Sequence, residues 1–307
     1  LDNTKILYNL NKILFGIITL FLLNACSTTP KMKSENIRPW SNALGNEYPN
    51  EKAVIAHYKK GQYELFYLAA RHTNTMGDDT LNLVQTLFNK FSFNILMIES
   101  IPYSSGESPK WFLEEAKQGR TEKFIRGGES ALGVILADEK KIPFIAGEPD
   151  HQDICKGLKS KGYTDEDILG FYTVRQVPQW VREKLDKKTL LKKKIPSFLT
   201  HYCKVFSVQT CPTSKEVMKW YKVKLGHELV PDVSNEEVAP YSDGALYTQK
   251  ISSDVGFIRD HFTLNLIQET LRKHKRVAVI YGAGHFLTLR KSFDEAFGEP
   301  SFIEDKK

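Results

Sequence analysis

The chain reads as an α/β protein with a central, mostly parallel β-sheet flanked by helices and its chemistry at the carboxyl ends of the strands. Three observations lead there. Short apolar runs rich in Val, Ile, Leu and Phe recur at Glu64 to Ala70, Asn94 to Glu99, Lys141 to Gly147 and Arg276 to Phe286, as buried strands do. Segments with helical spacing separate them, which is the β-α-β unit of a parallel sheet. Each run also exits into glycine, proline or polar residues, and in an open α/β sheet that edge is where ligands bind.

Taken in order, the first residues stand apart from this core. Lys5 and Lys12 flank the start of an apolar block, Ile13 to Leu23, which leads through Asn24 and Ala25 to Cys26 and a polar stretch. A basic start, a short apolar block and a small residue before the cut describe a secretory signal, and the block is well short of the ~20 apolar residues of a spanning helix. The cysteine directly after Leu-x-Ala resembles the signal of bacterial lipoproteins. That resemblance implies removal of residues 1–25, lipidation of Cys26 with palmitate, and a place in the bacterial cell envelope. Ser27 after the cysteine is compatible with the outer membrane, the protein facing the periplasm. An ordinary signal with a chance cysteine is the competing reading. Residues 26–50 are polar with turn formers and read as a tether, so the expected folded domain is 51–307.

Within that domain, Glu64 to Ala70 is the first strand and delivers Arg71 and His72. Asp79 to Phe91 follows with Leu81, Val84, Leu87 and Phe88 at helical spacing, capped by Asp79 or Thr80. Asn94 to Glu99 is the second strand. Ser108 to Lys117 and Ala131 to Lys140 read as helices, the latter entered through the turn Arg126 to Ser130. Lys141 to Gly147 is the third strand, leaving into Glu148, Pro149, Asp150 and His151. Thr164 to Ile195 is helical, and its Lys-rich run from Arg182 to Lys194 reads as a solvated face. Residues 196–255 mix short apolar pieces with turn chemistry and read as a possible insertion. Ile258 to Lys273 is an amphipathic helix feeding the last strand, which breaks at Gly282-Ala283-Gly284 and presents His285.

Composition excludes some functions. The chain has 307 residues and a net charge of +6; without an Arg run interleaved with aromatics, that charge speaks for solubility, and nucleic acid is not an expected partner. Leu287 occupies the third-glycine position of a dinucleotide fingerprint after Gly282 and Gly284, and neither a Gly-x-Ser-x-Gly elbow nor a Walker lysine is present. Export would permit a Cys203–Cys211 disulfide, but spacing alone leaves the pairing open.

The strand exits share a habit: one presents His72, one Glu99, one Glu148 with Asp150 and His151, and the last His285. Parallel neighbours would bring these groups to one crevice. Two histidines and a carboxylate have the composition of a catalytic metal site with an open position for water. The same groups also work without metal, a histidine acting as general base. Arg259, from the preceding helix, could hold a substrate carboxylate or stabilise an oxyanion. A single histidine at a strand end is more often a structural polar group, so recurrence at several exits carries the argument.

These motifs resemble the superfamily of TraB and GumN-like proteins, Tiki proteases, erythromycin esterase-like hydrolases and the ChaN haem-binding lipoproteins. Gly282-Ala283-Gly284-His285 is close to the second Gly-x-x-His motif of the Tiki and TraB branch, Arg259 with Asp260 sits where its arginine would, and Glu99 resembles its glutamate. The likeness spans most of residues 53–298 and is weakest over 196–255. Two positions depart from the pattern: Ala69 replaces the glycine of the first motif, Ala69-Ala70-Arg71-His72, and Thr288 stands where a glycine commonly follows the second histidine. The resemblance implies a hydrolase acting on a peptide or small-molecule ester, with His72, Glu99 and His285 holding a divalent metal (Mn, Co or Zn), Glu99, Arg259 and His285 as catalytic groups, and Glu148, Asp150 and His151 around them. Erythromycin esterase-like members imply a metal-free version, and ChaN implies the alternative of haem binding without turnover.

Overall fold

The computed structural model describes residues 28–47, 52–182, 189–229 and 235–303. Cys26, the signal segment and part of the Lys-rich run lie outside these residues.

Six strands form one mixed sheet: β1 (Val54–Lys60), β2 (Tyr63–Ala70), β3 (Ile95–Pro102), β4 (Phe144–Glu148), β5 (Arg276–Gly282) and β6 (Ser301–Ile303). Their order across the sheet is β4-β3-β5-β2-β1-β6. The four neighbouring strands β4, β3, β5 and β2 are parallel, whereas β1 runs antiparallel to β2 and to β6. The parallel part matches the four apolar runs of the sequence. The antiparallel edge does not follow from them: β1 carries His57, Tyr58 and two exposed lysines, which interrupt its apolar run although Ile55 packs on one face of the sheet and Ala56 and Tyr58 on the other.

Alternate strand residues serve opposite faces, as the period of a strand requires. Phe66, Leu68, Leu96, Ile98, Ala278 and Ile280 pack on one face beneath α2 (Asp79–Lys90), α3 (Lys110–Gln118) and α4 (Gly128–Glu139). Leu65, Tyr67, Met97, Val277, Val279 and Tyr281 pack on the other beneath α9 (Tyr247–His274) and α10 (Ala283–Phe297). Burial on both faces explains why the central strands read as continuous apolar runs.

A third apolar cluster is built from helices alone: α5 (His151–Ser160), α6 (Asp165–Arg182), α7 (Ile195–Val205), α8 (Ser214–Leu225) and the first turns of α9. The helical portion thus begins at residue 151, well before the segment from 196 that reads as irregular, because Ile154, Leu158, Phe171 and Val174 share one core with Leu199, Val217 and Trp220. Cys203 and Cys211 are joined, with Cα atoms 5.7 Å apart.

Two expected features take a different form. The stretch read as a tether packs on the domain over its described part. α1 (Asn42–Glu47) contributes Leu44 to the core with Met32 and Ile37, and Ser292 and Thr288 of α10 bond to the backbone of Lys33 and Arg38. The Gly-Ala-Gly break is not a free loop: β5 ends at Gly282, and Ala283, Gly284 and His285 form the first turn of α10. Among the described residues, no helix is long and apolar enough to cross a membrane.

Candidate functional site

Because β4, β3, β5 and β2 are parallel neighbours, their carboxyl ends line up, and Glu148, Glu99, Gly282 and the His72 loop come to one edge. Glu99 is buried, 8% exposed. Just beyond it Ser100 adopts φ 95°, and the register between β3 and β4 shifts between Ile98 and Pro102. A non-glycine residue in that region is strained and is held only where its surroundings over-determine it. Glu99 Oε2 accepts the Gly282 N–H at 2.7 Å, which places a carboxylate at the N-terminus of α10, where the helix dipole favours negative charge.

Arg259, on α9, ties this edge together. Its Nη2 donates to Glu99 Oε1 at 2.6 Å and to Glu148 Oε1, and its Nε donates to Glu148 Oε2 at 2.7 Å. Tyr281 donates its hydroxyl to Glu148 at 2.7 Å. Burial works to raise the Glu99 pKa, but Arg259, His285, His72 and the Gly282 N–H outweigh it and hold the carboxyl at about 2. Burial likewise disfavours the Arg259 charge, and Glu148, Tyr281 and Glu99 more than restore it.

The two histidines are oriented alike. His72 Nδ1 lies 2.6 Å from Glu129 Oε1, and His285 Nδ1 lies 2.5 Å from Asp260 Oδ1. Glu129 and Asp260 are both buried. Each carboxylate therefore fixes a ring and leaves Nε2 for the crevice. His285 Nε2 is 4.0 Å from Glu99 Oε1. A Cβ on Gly282 would stand 3.2 Å from Glu99 Oε2 and 3.3 Å from His72 Nε2, so the missing side chain is what leaves room between that pair. The bond to Glu129 raises the His72 pKa to about 9, with Glu99 adding to the rise. The His72 side chain remains 68% exposed, so Glu129 is its decisive partner. Glu129 reaches His72 because the chain turns sharply at Gly127 and Gly128; at Gly128, with φ 54°, a Cβ would meet Thr73 O at 2.4 Å.

Two crevices flank Arg259. One, of about 330 Å³, is lined by His72, Glu99, Glu148, His151 and Arg175. The other, of about 340 Å³, is lined by His285, Asp260, Trp40 and Arg175. Val255, Arg175 and Arg259 belong to both. The structure thus gathers Glu99, Arg259, His72, His285 and Glu148, with His151 on the wall of the first crevice. Asp150 is placed elsewhere: its carboxylate accepts the Ser104 hydroxyl at 2.5 Å at the start of α5.

As a test for a metal, the donor chemistry suits Mn, Co or Zn: two imidazoles with Nδ1 tied to carboxylates and a third carboxylate between them, as metal-bound histidines are commonly held. As the side chains stand, no three His, Cys, Asp or Glu among the described residues are grouped to enclose an ion, so closing round one requires side-chain movement.

Sequence reasoning passes over Glu129, Tyr281 and Arg175. Glu129 lies 57 residues from His72 in the chain, and only the double glycine before it marks a special turn. No protein-family model, curated protein or solved structure matches the chain.

Proposed function

We propose that the chain is a hydrolase of peptide or ester bonds, held at the bacterial outer membrane through lipid on Cys26, and that it works by general acid–base catalysis between His285 and His72. The observation that carries this reading is the matched pair of buried carboxylates on the two imidazoles. His285, oriented by Asp260, takes the proton from a water that attacks the substrate carbonyl. His72, whose pKa the bond to Glu129 raises to about 9, gives its proton to the leaving group as the tetrahedral intermediate collapses. Two imidazoles facing one substrate can divide the roles of base and acid. Arg259 is bonded to Glu99 beside them, and its guanidinium is the group assigned to the developing oxyanion. The likeness to the Tiki, TraB and erythromycin esterase-like group supports the same reaction class.

A second reading has its own support, because carboxylate-tied imidazoles are how proteins hold a metal. His72, Glu99 and His285 would then be its ligands, and the ion would polarise the carbonyl and acidify a bound water.

The test is hydrolysis of nitrophenyl acetate and of a chromogenic peptide by the purified protein, with and without added Mn²⁺, Co²⁺ or Zn²⁺. Turnover is expected, falling on the order of 10²–10⁴-fold in His285→Ala. Activity unaffected by a chelator selects the acid–base reading, and metal content lost with His285→Ala selects the metal reading. No turnover under any condition, with a Soret band on haem titration, would replace both with haem binding.

A further inference from the structure

Arg175 is a charge that the proposed chemistry does not use. It projects from α6 of the helical portion and lines both crevices, opposite the Arg259, Glu99 and Glu148 network. Arg259 is neutralised by its two carboxylates. For Arg175, by contrast, no described residue accepts its hydrogen bonds or pairs with its charge. Arg175 is thus an exposed guanidinium on the crevice wall, with Glu148 on the same crevice as its nearest compensation and its hydrogen-bond donors open to an incoming group.

The surface around Arg175 is also particular. Tyr172, one turn before it, contacts Tyr202 at 5.6 Å and Phe206 at 4.9 Å between ring centroids, and Tyr202 stacks on Phe198 at 4.2 Å. His151 meets Tyr202 at 5.8 Å. Tyr172, Tyr202 and His151 face the crevice. The wall opposite the histidines is therefore aromatic, with one cation set in it. Arg175 is exposed; the neighbouring Arg259 works against its charge and Glu148 favours it, so an arriving anion adds to a partial compensation that is already present.

We propose that Arg175 is the specificity residue of the site and binds an oxoanion, a carboxylate or phosphate, carried by the substrate on an apolar or ring-bearing fragment that lies along the Tyr172 and Tyr202 wall. The planar guanidinium fork matches such a group in two hydrogen bonds. This rests on the hydrolytic reading of the crevice and adds to it the substrate class: an anionic ester or amide.

The experiment compares two nitrophenyl esters of similar length, the negatively charged succinate monoester and the neutral butyrate, with the full chain and its Arg175→Gln and Arg175→Lys variants. A hydrogen-bonded charge contact predicts that the wild type prefers the charged ester by about 10–100-fold in kcat/KM, carried by KM, that Gln removes the preference and that Lys keeps part of it. An equal preference in wild type and Arg175→Gln overturns the proposal. Succinate and inorganic phosphate are then tried as competitors. Whichever competes names the oxoanion, and competition by neither overturns the assignment. If neither ester is hydrolysed, the hydrolase reading falls, and calorimetry decides the anion site separately. Phenylacetate bound by the wild type and lost in Arg175→Gln sustains it; phenylacetate bound no better than phenylacetamide ends it.

Discussion

Replacing Arg259 by Met should destabilise the protein by about 3–5 kcal/mol at neutral pH, the usual cost of breaking a buried ion pair from one side. The geometry supports the upper part of that range. Glu99 and Glu148 side chains are 11% and 15% exposed and share one guanidinium, so both carboxylates are stranded together. For Glu99, a folded pKa of about 2 against an ordinary 4.5 corresponds to about 3 kcal/mol of linkage, shared among Arg259, the two histidines and the Gly282 N–H. Its depressed pKa means that this stability is fully present above about pH 4.5 and is lost as pH falls through about 2. Without Arg259, burial of Glu99 is less opposed and its carboxyl binds a proton more readily in the folded state, so the variant gains stability on mild acidification. Urea unfolding followed by circular dichroism at about pH 7 and about pH 5 should show the deficit shrinking at the lower pH. A deficit below about 1 kcal/mol, or one of the same size at both pH values, would refute the account of Arg259 as the partner of two buried carboxylates.

Three further outcomes follow from other parts of the molecule. Gly282→Ala puts a methyl 3.2 Å from Glu99 Oε2 and 3.3 Å from His72 Nε2, and should cut turnover at least about 10-fold while changing stability by less than about 1 kcal/mol; full activity would show that the space between that pair is not used. Reducing Cys203–Cys211, which closes a loop of sequence separation 8, should lower unfolding stability by about 2.5 kcal/mol on loop entropy, and an unchanged urea midpoint would contradict this. Burial opposes ionisation of Asp167, but hydrogen bonds from Trp220 and Thr164, with Lys224, hold its pKa at about 2 against 3.8. The stability from that depression, about 2 kcal/mol, is present above about pH 4 and lost as pH falls toward 2. Asp167→Asn should flatten this part of the acid limb, and an identical limb would exclude Asp167 as its source.

The sequence by itself determined the parallel heart of the fold. Runs such as Glu64 to Ala70 and Arg276 to Gly282 are apolar on both faces because helices cover both, and such runs declare themselves without partners. They also announced which residues leave at the strand ends, so Glu99, Glu148 and His285 were legible as neighbours once the strands were parallel. The more polar strand β1 was not, since His57, Lys59 and Lys60 break its apolar run. Nor was the first turn of α10, because Gly-Ala-Gly breaks a strand pattern as readily as it starts a helix. Tertiary structure alone decided the pairings. Glu129 meets His72 across 57 residues, and Arg259 meets Glu148 across 111. It also turned Asp150 toward Ser104 and set Arg175 on the wall of both crevices. Hydrophobic periodicity is a local property that one strand or helix expresses alone, whereas a hydrogen-bonded charge pair depends on two surfaces that only packing brings together.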